Sequence, residues 1–168
     1  MIIVYESKTG FTKKYADMLA AKTGLRAYPV REFLKNNLDL DLTNEEVVFM
    51  GWMKIGKIQG LDKVRQFKLK AICGSGTGRT AEPDTETILT RNELGKIPFF
   101  YMQGGCLPLK DLPGMNRIMM SMFVNALKKR PDRDEKENES IAMIENGFDG
   151  VREDNLGPLL DFLNSSTN

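Results

Sequence analysis

Histidine is absent from this chain of 168 residues, and cysteine and tryptophan are scarce, with two residues and one residue respectively. Without histidine there is no histidine-based catalytic triad, no histidine proton shuttle and no histidine-ligated metal. Two cysteines form neither a four-cysteine zinc site nor a disulfide framework, a usage typical of a reducing compartment. We therefore expect no metal site and no acid–base chemistry based on histidine.

The chain also lacks an excess of charge of either sign and lacks long apolar runs. Its 24 Lys+Arg nearly balance 23 Asp+Glu, which gives a net charge of +1, so no strong field favours nucleic acid, a membrane surface or an acidic substrate. No apolar run approaches the ~18 residues of a membrane span. The sequence starts with an apolar segment and has no charged leader or cleavage site. We expect a cytoplasmic protein with no membrane span and no nucleic-acid partner.

Short apolar segments alternate with helical patterns through the first two thirds of the chain. The predicted strands are residues 2–5, 25–30, 46–51, 69–74 and 96–102. The predicted helices between them are residues 13–21, 60–68 and 84–94, with a short helical turn at 31–36. We expect Gly24 to end the first of these helices. This alternation with short connections predicts an α/β fold with a parallel sheet covered by helices on both faces. The length is that of one domain, residues 1–168.

The pattern changes after the last predicted strand. Residues 113–129 and 155–163 are predicted helices, and residues 140–145 have a weaker helical pattern. The charged stretch 130–139 is either a solvated segment or the exposed start of a helix. Because some 50 residues separate the last strand from the last helix, too many for an ordinary connection, we expect a helical insertion at roughly 104–152.

The first strand-to-helix turn, residues 7–12, has the composition of an anion site. The hydroxyls of Ser7, Thr9 and Thr12 can donate to phosphate oxygens, and Lys8 adds a positive charge. Gly10 allows the backbone to approach a ligand closely, and a helix N-terminus favours negative charge. The alternative is that a single hydroxyl caps the helix. Three hydroxyls in six positions favour the anion site.

Two other phosphate-like motifs are weaker. Residues 51–57 match G-x-x-x-x-G-K, but Ile58 stands where a P-loop requires Ser or Thr for Mg²⁺. Residues 76–81 match G-x-G-x-x-A, but they follow the fourth strand and no acidic residue ends the next one. We interpret the second motif as a flexible glycine-rich turn.

The first turn and its flanks resemble the FMN-phosphate signature of the flavodoxins, in the pattern Ile3-Val4-Tyr5-x-Ser7-x-x-Gly10-x-Thr12-x-x-x-Ala16-x-x-Leu19. This resemblance implies a flavodoxin-like three-layer sandwich with five parallel strands in the order 2-1-3-4-5. It also implies FMN bound at the switch point between the first and third strands. The long segment after the last strand is similar in position to an insertion in flavodoxin-domain proteins related to menaquinone-dependent protoporphyrinogen oxidase, whose substrate does not carry over.

By the same resemblance, the loops after the third and fourth strands flank the flavin ring. Trp52 would then stack on the flavin ring; the alternative is that Trp52 belongs to the apolar core. Lys54 would place a positive charge near the flavin; the alternative is an ordinary solvated lysine. We expect no catalytic side chain beyond the cofactor. The residues predicted to bind FMN are Ser7, Lys8, Thr9, Gly10, Phe11, Thr12, Trp52, Met53, Lys54, Ile55, Gly56, Ser75, Gly76, Thr77 and Gly78.

Two further features have open interpretations. The apolar residues Met115, Ile118, Met119, Met122 and Phe123 recur at helical spacing, which indicates either core packing or an exposed surface for a hydrophobic acceptor, a lid or a second subunit. Cys73 lies at the end of the fourth strand, and Cys106 follows the fifth strand. We expect two small buried cysteines, with a flavin–dithiol relay as the alternative.

These observations predict an FMN-binding redox protein with an electron donor and an electron acceptor as partners. The near-neutral charge, unlike the acidic surface of flavodoxins, and the methionine-rich insertion favour an oxidoreductase that acts on a small quinone-like acceptor. The alternatives are a flavodoxin-type electron carrier between proteins and a flavin-free interaction module.

Overall fold

The computed structural model describes residues 1–35, 44–80 and 83–166. In chain order its strands are β1 (Ile2–Glu6), β2 (Ala27–Pro29), β3 (Glu46–Lys54), β4 (Lys57–Ile58), β5 (Lys68–Gly76), β6 (Phe99–Gln103), β7 (Gly105–Cys106) and β8 (Phe148–Asp149). Its helices are α1 (Phe11–Thr23), α2 (Val30–Phe33), α3 (Thr85–Arg91), α4 (Gly114–Lys128), α5 (Glu135–Asn146) and α6 (Gly157–Ser165).

The main sheet is parallel and has the order β2-β1-β3-β5-β6. The short strand β4 pairs antiparallel with the end of β3 and lies outside this order. Counting the parallel strands alone, this is the predicted order 2-1-3-4-5. The predicted α/β, flavodoxin-like sandwich is therefore confirmed.

Each face of the main sheet is covered by its own apolar core. One core joins the sheet to α1 and α6 and includes Tyr15, Leu19 and Leu159. The other core, which includes Phe33, Leu61 and Leu94, covers the opposite face. The strands are apolar on both sides because both faces are buried.

The start and end of α1 follow from its sequence. Its buried residues Tyr15, Ala16 and Leu19 recur at helical spacing and face the sheet. Gly24 ends the helix in the left-handed conformation, at φ +71°, and donates its N–H to the carbonyl of Ala20. This confirms the glycine stop expected from the sequence.

The predicted helix over residues 60–68 is wrong. The segment forms a single 3₁₀ turn at Leu61–Lys63, and Val64 leaves the helical region at φ −115°. Only Leu61 and Val64 are buried there, and β5 already begins at Lys68. One turn is enough to bury these two side chains, so the chain has neither the room nor the apolar stripe for a longer helix.

The chain divides into two compact units, and one of them comprises Met1–Gly104 with Val151–Asn168. This unit contains the main sheet, α1, α2, α3 and α6. None of the helices in the described part of the chain combines the length and the hydrophobicity needed to cross a bilayer.

The second unit, Gly105–Gly150, contains the β7–β8 pair and the helices α4 and α5. Val124 on α4 and Ile141 on α5 are the buried apolar residues of these two helices. An ion pair joins the two helices, with Lys128 Nζ 2.6 Å from Glu145 Oε1. The second half of the charged stretch 130–139 begins α5, where the Asp134 carboxylate accepts the Glu137 N–H, so the helix-start alternative is confirmed for this half.

Candidate functional site

The turn between β1 and α1 has the backbone geometry of an anion-compatible helix start. Gly10 precedes the helix at φ +93°, a left-handed conformation that L side chains rarely adopt. A Cβ at Gly10 would meet open space, so it is the conformation, not a neighbour, that requires glycine. The first turn of α1 holds no acidic residue, and its first N–H groups lack intrahelical acceptors. Negative charge is therefore favoured at this point.

Ser7 is bonded within this turn. Its hydroxyl oxygen accepts the N–H of Gly10 at 3.2 Å and the N–H of Lys13 at 3.3 Å. In this structure Ser7 therefore acts as the capping hydroxyl of the helix start, which was the alternative to phosphate binding. Lys8 and Thr9 are exposed at the tip of the turn, where their side chains are accessible to a ligand.

Thr12 joins the first turn to the end of β5. Its side chain is buried, and its hydroxyl shares a 2.7 Å hydrogen bond with the hydroxyl of Ser75, which is also buried. Two of the predicted segments, residues 7–12 and residues 75–78, therefore meet at this pair.

Trp52 brings the third predicted loop to the same place. It lies opposite Ser75 in the β3–β5 register, and its side chain is half-buried. The ammonium of Lys8 lies 5.3 Å from the centre of the indole ring, within the range of a cation–π contact. The structure therefore groups the first turn, Trp52 and Ser75 at the carboxyl ends of the strands.

An open cleft of about 320 Å³ lies beside Trp52 and is lined by Glu6, Trp52, Gln59, Gly60, Asp62 and Lys63. Glu6 ends β1, and Trp52 is near the end of β3. The chain connectivity reverses between these two strands, which is where α/β sheets bind ligands. Sequence reasoning selected only Trp52 of these residues, although the position of Glu6 at the end of the first strand was a usable signal.

The predicted residues that follow Trp52 have a different environment. Met53 and Phe99 both lie against Gly74, where an added Cβ would be 2.9 Å from the Met53 sulfur and 3.1 Å from the Phe99 ring. Beyond it, β3 and β4 form a hairpin whose tip holds Ile55 at φ +49° and Gly56 at φ +71°.

This hairpin tip is attached to the end of α3. Arg91 Nη1 donates to the Ile55 carbonyl at 2.7 Å, and buried Asn92 donates through Nδ2 to the Gly56 carbonyl at 2.7 Å. Asn92 Oδ1 also accepts the Ile58 N–H at 2.8 Å. Of the predicted residues 52–56, Trp52 is therefore the one that meets the first turn and Ser75. Ile55 and Gly56 are held by α3 instead, and Lys54 is exposed.

Tyr101 on β6 supports the glycine-rich loop after β5, and sequence reasoning missed it. Its hydroxyl donates to the Gly78 carbonyl at 2.9 Å. A Cβ at Gly76 would lie 2.8 Å from this hydroxyl, so glycine is needed there for the ring to fit. Thr77 between them is exposed.

Gly104 and Tyr15 hold the end of β6 close to the first turn. The Gly104 N–H donates to the Gly76 carbonyl at 2.6 Å, and Phe11 Cβ would lie 3.7 Å from a Cβ at Gly104. The buried Tyr15 hydroxyl donates to the Gln103 carbonyl at 2.5 Å and accepts from Asn155 Nδ2 at 2.6 Å. These bonds give the site a rigid base.

The two cysteines are free thiols, and burial raises the pKa of both Cys73 and Cys106. Cys73 is fully buried, as expected, and Cys106 is partly buried. Raised pKa values disfavour the thiolate that a relay would require. The structure thus favours two inert cysteines.

The site combines an anion-compatible helix start, an accessible indole ring and a cleft at the strand switch point. Within the described residues, no group of three Cys, Asp or Glu side chains is placed to hold a metal ion. Such a site suits an anionic ligand that carries a flat ring. Neither the protein-family models nor the curated proteins compared with this chain give a match.

Proposed function

We propose that this chain binds FMN non-covalently at the carboxyl ends of its strands and acts as an oxidoreductase on a small quinone-like acceptor. The observation that carries this proposal is the grouping of the β1–α1 turn, Trp52 and Ser75 at the switch point between β1 and β3. The flavodoxin-like pattern over residues 3–19 supplies the identity of the ligand.

The residues of the first turn fit a phosphate group. The Gly10 and Lys13 N–H groups are already donated to Ser7. The N–H groups of Phe11 and Thr12 and the exposed hydroxyl of Thr9 would therefore donate to the phosphate oxygens, and Lys8 would add a positive charge. The left-handed Gly10 leaves open space beside the turn. The absence of acidic residues from the first turn removes a source of repulsion.

The cleft would offer a flat ring one aromatic wall among polar neighbours. Trp52 offers an aromatic surface for stacking, and Gln59 offers an amide for hydrogen bonding. Two carboxylates line the cleft, and both are paired: Glu6 lies 3.5 Å from the Lys63 ammonium and Asp62 lies 3.1 Å from Arg65 Nε, so their negative charge is partly offset. When bound, FMN would supply the one- or two-electron chemistry, and the protein would control its access and surroundings.

A fluorescence titration of FMN into the purified apo-protein, with riboflavin in parallel, tests this proposal. We expect FMN to bind at micromolar concentration or below, and riboflavin, which lacks the phosphate, to bind at least about tenfold more weakly. No binding of FMN at micromolar protein would overturn the proposal and favour the flavin-free interaction module.

The variant Thr9→Asp tests the phosphate position. A carboxylate at the exposed tip of the turn should weaken FMN binding by about tenfold or more through charge repulsion and leave riboflavin binding nearly unchanged. Thr85→Asp adds the same charge at the exposed start of α3 and serves as the matched control. Equal weakening by both variants would contradict the assignment of phosphate to the first turn.

The assignment as an enzyme is tested with the reduced holo-protein under anaerobic conditions. Rapid oxidation by a soluble quinone at concentrations near micromolar would support an oxidoreductase. Slow oxidation by every small quinone tried, with FMN bound tightly, would favour the electron carrier between proteins.

A further inference from the structure

Helix α4 exposes a continuous apolar surface. Five large side chains each have between 52% and 69% of their surface exposed. We name this surface the α4 apolar face and define it by Met115, Ile118, Met119, Met122 and Phe123. These residues recur at the i, i+3, i+4, i+7 and i+8 positions of one helical stripe. A contiguous apolar patch of this kind marks an interaction surface.

The α4 apolar face lies opposite the side of the helix that packs within its own unit. Val124 is only 1% exposed, and α4 and α5 are tied by the pair Lys128–Glu145. At 3.6 residues per turn, Val124 points about 180° away from the middle of the apolar face. The helix is therefore already anchored on its other side, and the exposed residues are not needed to hold it to α5.

The charges of α4 indicate which kind of partner suits this face. The helix carries two charged residues, Arg117 and Lys128, and helical periodicity places both on the Val124 side. The polar residues nearest the edges of the face are Asn116 and Asn125, which are uncharged. A bilayer-binding helix would instead carry cations beside its apolar face, where they reach the headgroups.

We propose that the α4 apolar face is an interface between two copies of this chain. Two such faces, brought together about a two-fold axis, would bury each other without burying a charge. Methionine side chains, three of the five, adapt readily to a self-complementary contact. The proposal concerns α4 alone and does not depend on FMN.

The area of the face is sufficient for a dimer. Taking roughly 200 Å² for a fully exposed large apolar side chain, the observed fractions amount to about 600 Å² for each copy. Two copies would then bury about 1,200 Å², which is the lower end of the range for stable, specific interfaces. We therefore expect a dimer that forms reversibly with concentration.

Sedimentation velocity of the full chain between about 5 and 200 µM tests the proposal. We expect a species of twice the chain mass of 19.0 kDa at the upper concentrations. In the double variant Met119→Glu/Met122→Glu, four like charges would face each other, and we expect a monomer throughout. The matched control, Ser140→Glu/Ala142→Glu, adds the same two negative charges at exposed positions of α5 and should remain dimeric.

Circular dichroism and thermal melts of all variants accompany the measurement, because exposed substitutions should leave the fold intact. A wild-type chain that is monomeric at every concentration would overturn the proposal. Dimers that persist in Met119→Glu/Met122→Glu would place the interface elsewhere and also overturn it. Co-sedimentation of a monomeric wild type with phosphatidylglycerol vesicles, lost in the same variant, would replace the second copy with a lipid surface.

Discussion

The hydroxyls of Thr12 and Ser75 share a 2.7 Å hydrogen bond at the point where α1 begins and β5 ends. These residues are 63 positions apart in the sequence, and both are buried. The pair connects the first turn to the strand next to Trp52. Its integrity therefore affects both the stability of the fold and the geometry of the site.

Thr12→Val should lower the free energy of unfolding by about 1–3 kcal/mol, because the Ser75 hydroxyl then remains buried without this partner. Ser75→Ala should have a similar effect through Thr12. The double variant should cost less than the sum of the two single variants, because no orphaned hydroxyl is left. Urea unfolding measures these values, and Thr90→Val at an exposed position of α3 is the control. Strict additivity would contradict a coupled pair.

Asn92→Ala should destabilise the chain by roughly 2–4 kcal/mol, because it removes three hydrogen bonds at a buried position. The side chain accepts from the Ile58 N–H and donates to the carbonyls of Gly56 and Ile88. Limited proteolysis should then cut the β3–β4 hairpin faster than in the wild type. Asn164→Ala on the exposed side of α6 should change stability by less than about 0.5 kcal/mol. An equal effect of both variants would contradict the role of Asn92 in holding the β3–β4 hairpin.

Ile55→Asn should stabilise the chain by about 0.5–1.5 kcal/mol. Ile55 is a β-branched residue at φ +49°, and its side chain is 82% exposed, so it bears the strain of the left-handed conformation without compensating burial. Asn tolerates this conformation and is favoured in such hairpin turns. Ile55→Val keeps the branching and should give no gain. Urea unfolding of the three proteins decides the matter, and a loss of stability in Ile55→Asn would contradict the prediction.

Native-state thiol labelling should distinguish the two cysteines. Burial raises the pKa of both thiols, so the reactive thiolate is depleted at neutral pH in each. We expect Cys106, which is partly buried, to react slowly with iodoacetamide and faster as the pH rises toward and above about 8.5. Fully buried Cys73 should react only when the chain unfolds.

The variant Cys106→Ser isolates the labelling of Cys73. In this variant the native protein should remain almost unlabelled, and denaturation in urea should expose one thiol per chain. Rapid labelling of native Cys106→Ser would show that Cys73 is accessible, against the burial described above.

The sequence was sufficient to predict the sheet because its strands are apolar on both faces. In residues 2–5, 46–51 and 69–74 the only charged side chains are Glu46 and Lys70, and neither side of any of these strands is polar throughout, which is typical of a parallel sheet covered on both faces. Gly24 marked the end of α1 for a reason that is also local, since a left-handed cap favours glycine. Such features depend on a few neighbouring residues and are therefore predictable.

The features that were not predicted depend on contacts between distant residues. The β3–β4 hairpin is held by Asn92, which lies 34 residues from Ile58, and no local pattern near Lys54 indicates that partner. The single turn at Leu61–Lys63 likewise results from the position at which β5 begins. Tyr101 supports the Gly76–Gly78 loop from a neighbouring strand, which periodicity alone does not reveal.

The phenol oxygen of Tyr15 is bonded on both sides of the Gly105–Gly150 segment. It donates to the Gln103 carbonyl, just before that segment, and accepts from the Arg152 N–H at 3.4 Å, just after it. Both ends of the segment are thus bound to one atom of α1. The Gln103 carbonyl oxygen and the Arg152 nitrogen are at most about 6 Å apart, the sum of the two hydrogen-bond lengths. Because the ends meet whatever lies between them, and closing a longer loop costs little extra entropy, evolution can lengthen, shorten or exchange this segment while the sheet and its site are retained.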